Sequence, residues 1–513
     1  MDAKKNVKEE MSIVRGTFYG SLGVFSRIVF LFLANLILAR CMGARDYGIW
    51  ALNFIIITLG YGIVFLGLER GIGRFIGKCR GSKEYGKITI IISDGIVLIF
   101  LASFLVTSAV FFASSFFAAF FKISEISMTL KITALTFFPA AVIEIIGSIF
   151  QGFEDIKKAR VVNSFIPNFL FFSAIVLLWV FGKIDLFSVS VLYAVSFWLA
   201  GIVSMFFLIR LYPDENILKS IGLALIRKSG HKIMLLRFSL PLLFYNIITN
   251  VGIYADSFII GYFLSAYKLG IYSIASRIAR MSLFLLLGSF DIFSPLISKN
   301  LADTSNKEFN TADAYFRSTK WLFAGTLLII ITLMVFPSFF IGWFGKEFLE
   351  GSFALRLLLI SFLISAFAGP TDSVNIALGN TKFVAFYSIL GFLISASLCI
   401  SVIPYFGIEG AAAVSIISAI VTNGIPLLKL KIVNNINIIN WKYVKFASFS
   451  VFIGLALGFC IRNFFSAGLA GVAVFTCLFG LIEFIFLDRL KLIDEKDLEI
   501  GKILKLKVFS ILK

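Results

Sequence analysis

A single histidine, His231, stands in a chain of 513 residues, with Lys232 beside it and no second ligating side chain close by. Imidazole chemistry, whether acid–base or zinc-binding, has almost no raw material here. The five cysteines (Cys41, Cys79, Cys399, Cys460 and Cys477) show no CxxC or other metal spacing, and Cys41 and Cys79 are expected on opposite sides of a membrane. Neither disulfides, a metal site nor a cofactor is expected. Charge is scarce too: Asp, Glu, Lys and Arg make up 15% of the sequence against 59% hydrophobic residues, and mean hydropathy is +0.98. A soluble chain of this size needs far more polar surface. No polar connection is long enough to house a catalytic domain, and no Gly-rich phosphate-binding loop follows a strand-like segment. The chain is not expected to be an enzyme.

What is abundant is apolar sequence in runs of the length needed to cross a bilayer, about 20 residues. These runs predict helices near 13–38, 48–68, 88–112, 129–150, 161–181 and 186–209. A second set follows near 236–261, 271–298, 318–342, 354–378, 382–404 and 408–428, and two more near 443–462 and 466–487. The fold class is all-α, a polytopic integral membrane protein of about fourteen transmembrane helices. No cleavable signal is expected, because Met1–Arg15 is charged and leads directly into a full-length span.

Basic residues alternate from one connection to the next. The 69–87 connection carries Arg70, Arg74, Lys78, Arg80, Lys83 and Lys87, whereas 113–128 carries only Lys122. The 210–235 connection has Arg210, Lys219, Arg227, Lys228 and Lys232, whereas 262–270 has only Lys268. Lys429, Lys431, Lys442 and Lys445 continue the pattern. Positive loops stay in the cytoplasm, so both termini are expected inside a cytoplasmic membrane. The formal charge of +18 is thus a topology signal, and its scatter over short loops excludes a nucleic-acid partner. From Arg489 to Lys513 the tail mixes Leu and Ile with seven basic residues, which suits either a helix lying on anionic lipid or a solvated tail.

The chain also resembles itself. Ala44-Arg45-Asp46-Tyr47-Gly48-Ile49-Trp50 matches Ala266-Tyr267-Lys268-Leu269-Gly270-Ile271-Tyr272, and Gly67–Lys78 parallels Gly288–Lys299. Gln151-Gly152 matches Leu378-Gly379, and Phe181-Gly182 matches Phe406-Gly407, all at offsets of 221 to 227. A duplicated six-helix unit follows, with both copies in the same orientation because six is even. The expected organisation is a bundle at 1–209, a cytoplasmic linker at 210–235, a second bundle at 236–428, two additional spans within 443–487 and a basic tail at 488–513.

At these motifs the sequence resembles polysaccharide and lipid-linked oligosaccharide flippases of the multidrug/oligosaccharidyl-lipid/polysaccharide exporter superfamily. The residues that carry the resemblance are Gly43–Trp50 with its copy Leu269–Tyr272, Gly67-Leu68-Glu69-Arg70 with Arg74-Phe75, Phe150-Gln151-Gly152, and Tyr254–Gly261 around Asp256. The resemblance implies a transporter that flips a polyprenyl-(pyro)phosphate-linked oligosaccharide across the cytoplasmic membrane by alternating access between two helix bundles. The implied partners are that polyprenyl-linked glycan, membrane lipids, a monovalent cation (Na⁺ or H⁺) and other glycan-assembly membrane proteins.

Polar residues deep in a span mark the parts that carry such a task. On the seventh helix Asn246, Thr249, Asn250, Asp256 and Ser257 share one arc, opposite Ile247, Ile248, Val251, Ala255 and Phe258. That face suits a cavity lining, the alternative being a hydrogen-bonded helix contact. Arg27 sits mid-way along the first helix, and Arg277 and Arg280 share a face of the eighth at i, i+3. Given the cargo implied by the resemblance, these arginines suit its phosphates, since the guanidinium fork binds phosphate oxygens in pairs and stays charged. For Arg277 and Arg280 the alternative is snorkelling to the membrane interface. Of the acids Asp94, Glu144, Asp256, Asp291 and Asp372, Asp256 and then Glu144 are the candidates for ion coupling; others serve as counter-ions to the arginines. Asp94, near its helix end, is expected to be solvated. Eight of the nine prolines fall in or beside spans, where they bend helices.

Three other functions compete. A multidrug or small-cation antiporter of the same superfamily would place acids rather than arginines in its cavity and stop after twelve helices. A membrane-embedded glycan polymerase or ligase would carry a sizeable outer loop, whereas every outer connection here is short. A scaffold for glycan-assembly enzymes is compatible with transport.

Overall fold

The computed structural model of the chain describes residues 2–182, 184–211, 230–286, 311–434, 436, 441–464, 468–490 and 492. Most of the 210–235 linker, the repeat copy at 288–299, Asp291, Pro213, Pro295 and nearly all of the basic tail lie outside the described residues. Among the described residues every regular element is helical and none is a strand.

Eleven stretches are long and apolar enough to cross a membrane. Two of them are too long for one crossing: Leu22–Gly81 has 60 residues and Thr381–Ile432 has 52. Even the shorter would make a straight rod of about 78 Å, more than twice the hydrocarbon thickness. Each contains a non-helical glycine, Gly43 (φ 74°, ψ 173°) and Gly407 (φ 60°, ψ −142°), in backbone conformations that a side chain disfavours. Each stretch is therefore two spans. Ala266–Met281, a helix of 16 residues, stands where the eighth span is expected, so the described residues hold helices at about fourteen span positions. Large apolar side chains face outward on these helices, Phe112 at 82% exposure and Phe459 at 71% among them, as lipid-facing surfaces require. The protein is a multi-pass α-helical membrane protein.

The largest departure from the sequence pattern lies at 69–87, expected as a loop. Most of it is the helix Leu68–Gly81, which follows a turn at 65–67. Leu68, Ile72 and Ile76 recur every four residues and are buried, whereas Arg70, Arg74 and Lys78 recur on another face. The helix packs on Phe137–Gly152 and on Tyr85–Phe121. His231, also expected in a loop, lies in the first turn of the seventh helix, Gly230–Phe263.

By internal packing the chain forms two compact units. The first comprises Met1–Ile274 with Gly342–Gly351 and Ser388–Val414. Its fourth span bends between Glu125–Ala134 and Phe137–Gly152, where Pro139 leaves the carbonyl of Leu135 without its helical donor. In the fifth span Pro167 follows a π-helical turn at Val161–Phe165, the wide turn absorbing the bond that proline cannot make. Asp185 caps the sixth, Leu186–Leu211, accepting from the Phe187 and Ser188 amides (3.1 and 3.2 Å) and the Ser188 hydroxyl (2.6 Å). These bonds, the hydroxyl foremost, hold its carboxyl below the usual range.

The two copies of the repeated turn meet in this unit. A methyl group on Gly48 would collide with the carbonyl of Ala266, and one on Gly270 with the carbonyl of Ala44. Both copies read Ala-x-x-x-Gly, the small-residue spacing that lets two helix backbones touch. The reciprocal contact is what a two-fold relation between duplicated helices produces.

The second unit comprises Ala275–Ile341, Ser352–Tyr387 and Ser415–Lys513. Its core joins Phe323, Leu327, Ile331 and Phe336 of the ninth span to Tyr443 and Phe446 of the thirteenth and Phe475 and Phe479 of the fourteenth. The two spans outside the repeat are therefore packed into this unit's core. Its tenth span breaks at Gly369 (φ 70°) ahead of Pro370, and the Tyr315 hydroxyl donates to the carbonyl of Ala368 at the break (2.7 Å). Lys320, fully buried, donates from Nζ to the carbonyl of Leu492 beyond the last span.

Candidate functional site

Ionisable groups inside the first unit converge on the fourth span. Glu144 lies within electrostatic reach of Glu69, Arg27 and Arg160. One turn on from Glu144, the Ser148 hydroxyl donates to the backbone carbonyl of Glu69 and accepts from the Gly73 amide at 3.0 Å. This bond fixes Leu68–Gly81 against the fourth span and sets Glu69 at the mouth of the turn formed by Leu66 and Gly67, both with positive φ. The Glu69 side chain accepts from Asn246 Nδ2 at 2.7 Å through Oε1, while Oε2 is buried without a hydrogen bond. The seventh span is thereby tied to the second.

Arg160 comes from the residue that opens the π-helical turn, and its Cβ lies 2.7 Å from where a methyl on Gly23 of the first span would stand. The lack of a side chain at Gly23 is what admits it. Its Nε is buried without a partner. A π turn inside a span is often found at a working site, because it rotates the following helix and redirects side chains.

The sequence-predicted residues divide into groups. Arg27 and Glu144 share the cluster, and Asn246 joins it through Glu69. Asn250, one turn along, has its amide nitrogen 3.2 Å from where a side chain on Gly62 would begin, so it faces the second span. Asp256 stands apart, about 15 Å from Asn246 along the same helix. Its carboxylate accepts from Tyr272 Oη at 2.5 Å and from the amide and hydroxyl of Ser257 at 2.6 and 3.1 Å. Arg277 and Arg280 belong to the second unit, half-buried, with Arg280 Nε donating to Ser276 Oγ at 3.1 Å. Asp94, expected to be solvated, is fully buried instead, because Leu68–Gly81 covers it and sets Ile72 against neighbouring Gly95. Asp372, in the second unit, accepts from the hydroxyl of Tyr387.

Two members of the cluster carried no assigned role. Glu69 stands in the second-helix motif, but in a stretch whose charge reads as a loop. Arg160 follows Lys157 and Lys158 and reads as one more basic loop residue. Only the helical start at Ile156 brings it inside.

The arrangement can do three things chemically. Two guanidinium groups, Arg27 exposed and Arg160 half-buried, offer a divalent or oxygen-rich anion a cationic seat. Two carboxylates can share a proton or a small cation. The asparagine amides of the seventh span can exchange their hydrogen bonds as that helix moves. Among the described residues no group of three metal-ligating side chains is found.

A protein-family model described as polysaccharide biosynthesis protein matches residues 13–301, and one described as MatE matches residues 241–401. No curated protein sequence matches the chain. Solved structures do. A multidrug-resistance MATE family transporter of the MOP superfamily, inward-facing, superposes with TM-score 0.67 at 14% identity, covering 80% of this chain and 96% of that one. The lipid II flippase MurJ in an inward closed conformation gives 0.65 at 16%, covering 92% and 99%. A MOP superfamily transporter from Pyrococcus furiosus Vc1, described by the reverse polarity of its binding pocket, gives 0.58 at 13%, covering 82% and 96%. At such identities the likeness is one of fold.

Proposed function

This chain belongs to the polysaccharide biosynthesis protein family, and on that premise we propose that it flips a polyprenyl-(pyro)phosphate-linked oligosaccharide across the cytoplasmic membrane by alternating access, its termini on the cytoplasmic side. The observation that carries the proposal is the Arg27–Glu144–Arg160 cluster with Glu69 and Asn246 beside it. A guanidinium inside a span needs a counter-ion, and an isolated buried charge is costly. Glu144 serves as that counter-ion while the site is empty. When the cargo's phosphate arrives it takes over as partner to Arg27 and Arg160, and Glu144 is released to bind a proton or Na⁺ together with Glu69. Anion binding and cation binding are thereby linked through one carboxylate, which is the coupling that a gradient-driven flippase requires.

Asn246 and Asn250 suit sugar hydroxyls or act as the movable hydrogen-bond partners of the second span. Arg277 and Arg280 are proposed as further cationic contacts for the same class of anion. Asp256, held by Tyr272, is proposed as a second coupling carboxylate. A role as a small-cation antiporter is favoured by one observation, the presence of Glu69 within electrostatic reach of Glu144.

Binding to the purified full chain in lipid nanodiscs separates the two functions. A polyprenyl pyrophosphate probe is expected to bind, and Arg27→Ala or Arg160→Ala to weaken it by about 10- to 100-fold, the scale of a charge-assisted hydrogen bond. A probe that fails to bind, or binds equally to both variants, while a lipophilic quaternary ammonium binds in competition with protons, would move the assignment to antiport.

A further inference from the structure

Gly342–Gly351 packs as part of the first compact unit, although the chain before and after it belongs to the second. Its short 3-10 helix, Lys346–Gly351, reaches both copies of the repeated turn. Glu347 Oε2 accepts from the Ala44 amide at 2.8 Å, capping the helix that starts after Gly43 from a point 303 residues away. Glu350 pairs with Lys268 of the other copy. Between these holds Phe348 is buried edge-on against Tyr47 (5.9 Å), and Phe344 against Phe32 of the first span (5.5 Å). Directly beneath, Gly48 and Gly270 cross at backbone contact. Tyr47 is held in turn by Asn35, whose Oδ1 accepts its hydroxyl at 3.0 Å.

We infer that Gly342–Gly351 is a clasp that keeps the two repeated turns together and must release them before the bundle opens at this end. A backbone crossing with no side chain between the helices has little apolar area of its own to hold it. The clasp supplies what the crossing lacks: a charge-assisted cap on one helix and two buried rings, with an ion pair to the other helix. The exposed pair Lys268–Glu350 contributes little alone. The grip therefore lies in Glu347, Phe344 and Phe348. Release uncaps Ala44 and frees both turns in one step, which makes opening two-state rather than gradual.

The clasp rests on the proposal that the bundle alternates between two openings, but amide hydrogen exchange reads it whether or not a glycan is carried. In the full chain in nanodiscs, Glu347→Ala and Phe348→Leu are expected to raise exchange about tenfold over 43–48 and, to a similar degree, over 266–270, the other copy of the turn. Glu347 is exposed, so its variant keeps the fold. Faster exchange at 43–48 alone would make the contact a local helix cap and overturn the clasp. Unchanged exchange at both turns would overturn it as well.

Discussion

Replacing Gly270 by valine is expected to cost the folded chain about 3 kcal/mol or more, the upper end for a side chain forced into a packed contact. The obstacle is the carbonyl of Ala44, a backbone atom that cannot rotate away as a side-chain tip would. The helix carrying Gly270 must therefore move, and the Lys268–Glu350 pair and the Tyr272–Asp256 hydrogen bond move with it. Gly48→Val is expected to cost a similar amount by the mirror-image collision with Ala266. The double variant should cost clearly less than the sum, because the first substitution has already parted the pair. Thermal unfolding in detergent, with size-exclusion profiles as the check on folding, measures all three. Additive costs, or a Gly270→Val protein as stable as wild type, would mean that the helices do not cross at these glycines.

The second large effect concerns the charged cluster. Arg160→Ala leaves Glu144 in the bilayer interior with Arg27 as its remaining cationic neighbour, and is expected to destabilise the protein by about 2 kcal/mol, below the cost of breaking a fully buried pair because the half-buried Arg160 acts on Glu144 through its field and not a direct bond. Adding Glu144→Gln removes the stranded charge and should restore most of that loss, since neutralising both partners is far less costly than removing one. Stability recovers in the double variant, whereas phosphate binding does not, because the seat for the anion is gone. A double variant as unstable as the single would show that Arg160 acts through packing against Gly23 rather than through Glu144.

The fold was largely legible because its dominant signal, apolar runs separated by basic loops, is local. The described helices overlap the expected runs, the eighth only over 271–281, and both Phe181-Gly182 and Phe406-Gly407 end spans at a glycine of positive φ. Where the signal was mixed it misled. Leu68–Gly81 carries a cationic residue every fourth position, which suggests a loop until its buried face at Leu68, Ile72 and Ile76 is counted. That helix then accounts for the burial of Asp94.

The candidate site was legible only in its parts. Arg27, Glu144 and Asn246 stand out as polar residues in apolar helices, but what joins them is Glu69 and Arg160, which lie at span ends where charge is ordinary. No single-chain pattern marks a π turn that draws an arginine inward. Equally, nothing around Glu347 announces a bond to an amide 303 residues earlier, since long-range capping leaves no periodicity. Asp256 stands out by its depth in the seventh helix, yet its partner Tyr272 belongs to the repeated turn, which separates it from the cluster.

The most direct test of the central claim is the sidedness of lipid-linked glycan in cells lacking this chain, read with a membrane-impermeant probe. The account predicts accumulation on the cytoplasmic leaflet, relieved by the wild-type chain and not by Arg160→Ala at equal expression. Normal delivery to the outer leaflet in the absence of the chain, with no second transporter to replace it, would contradict it.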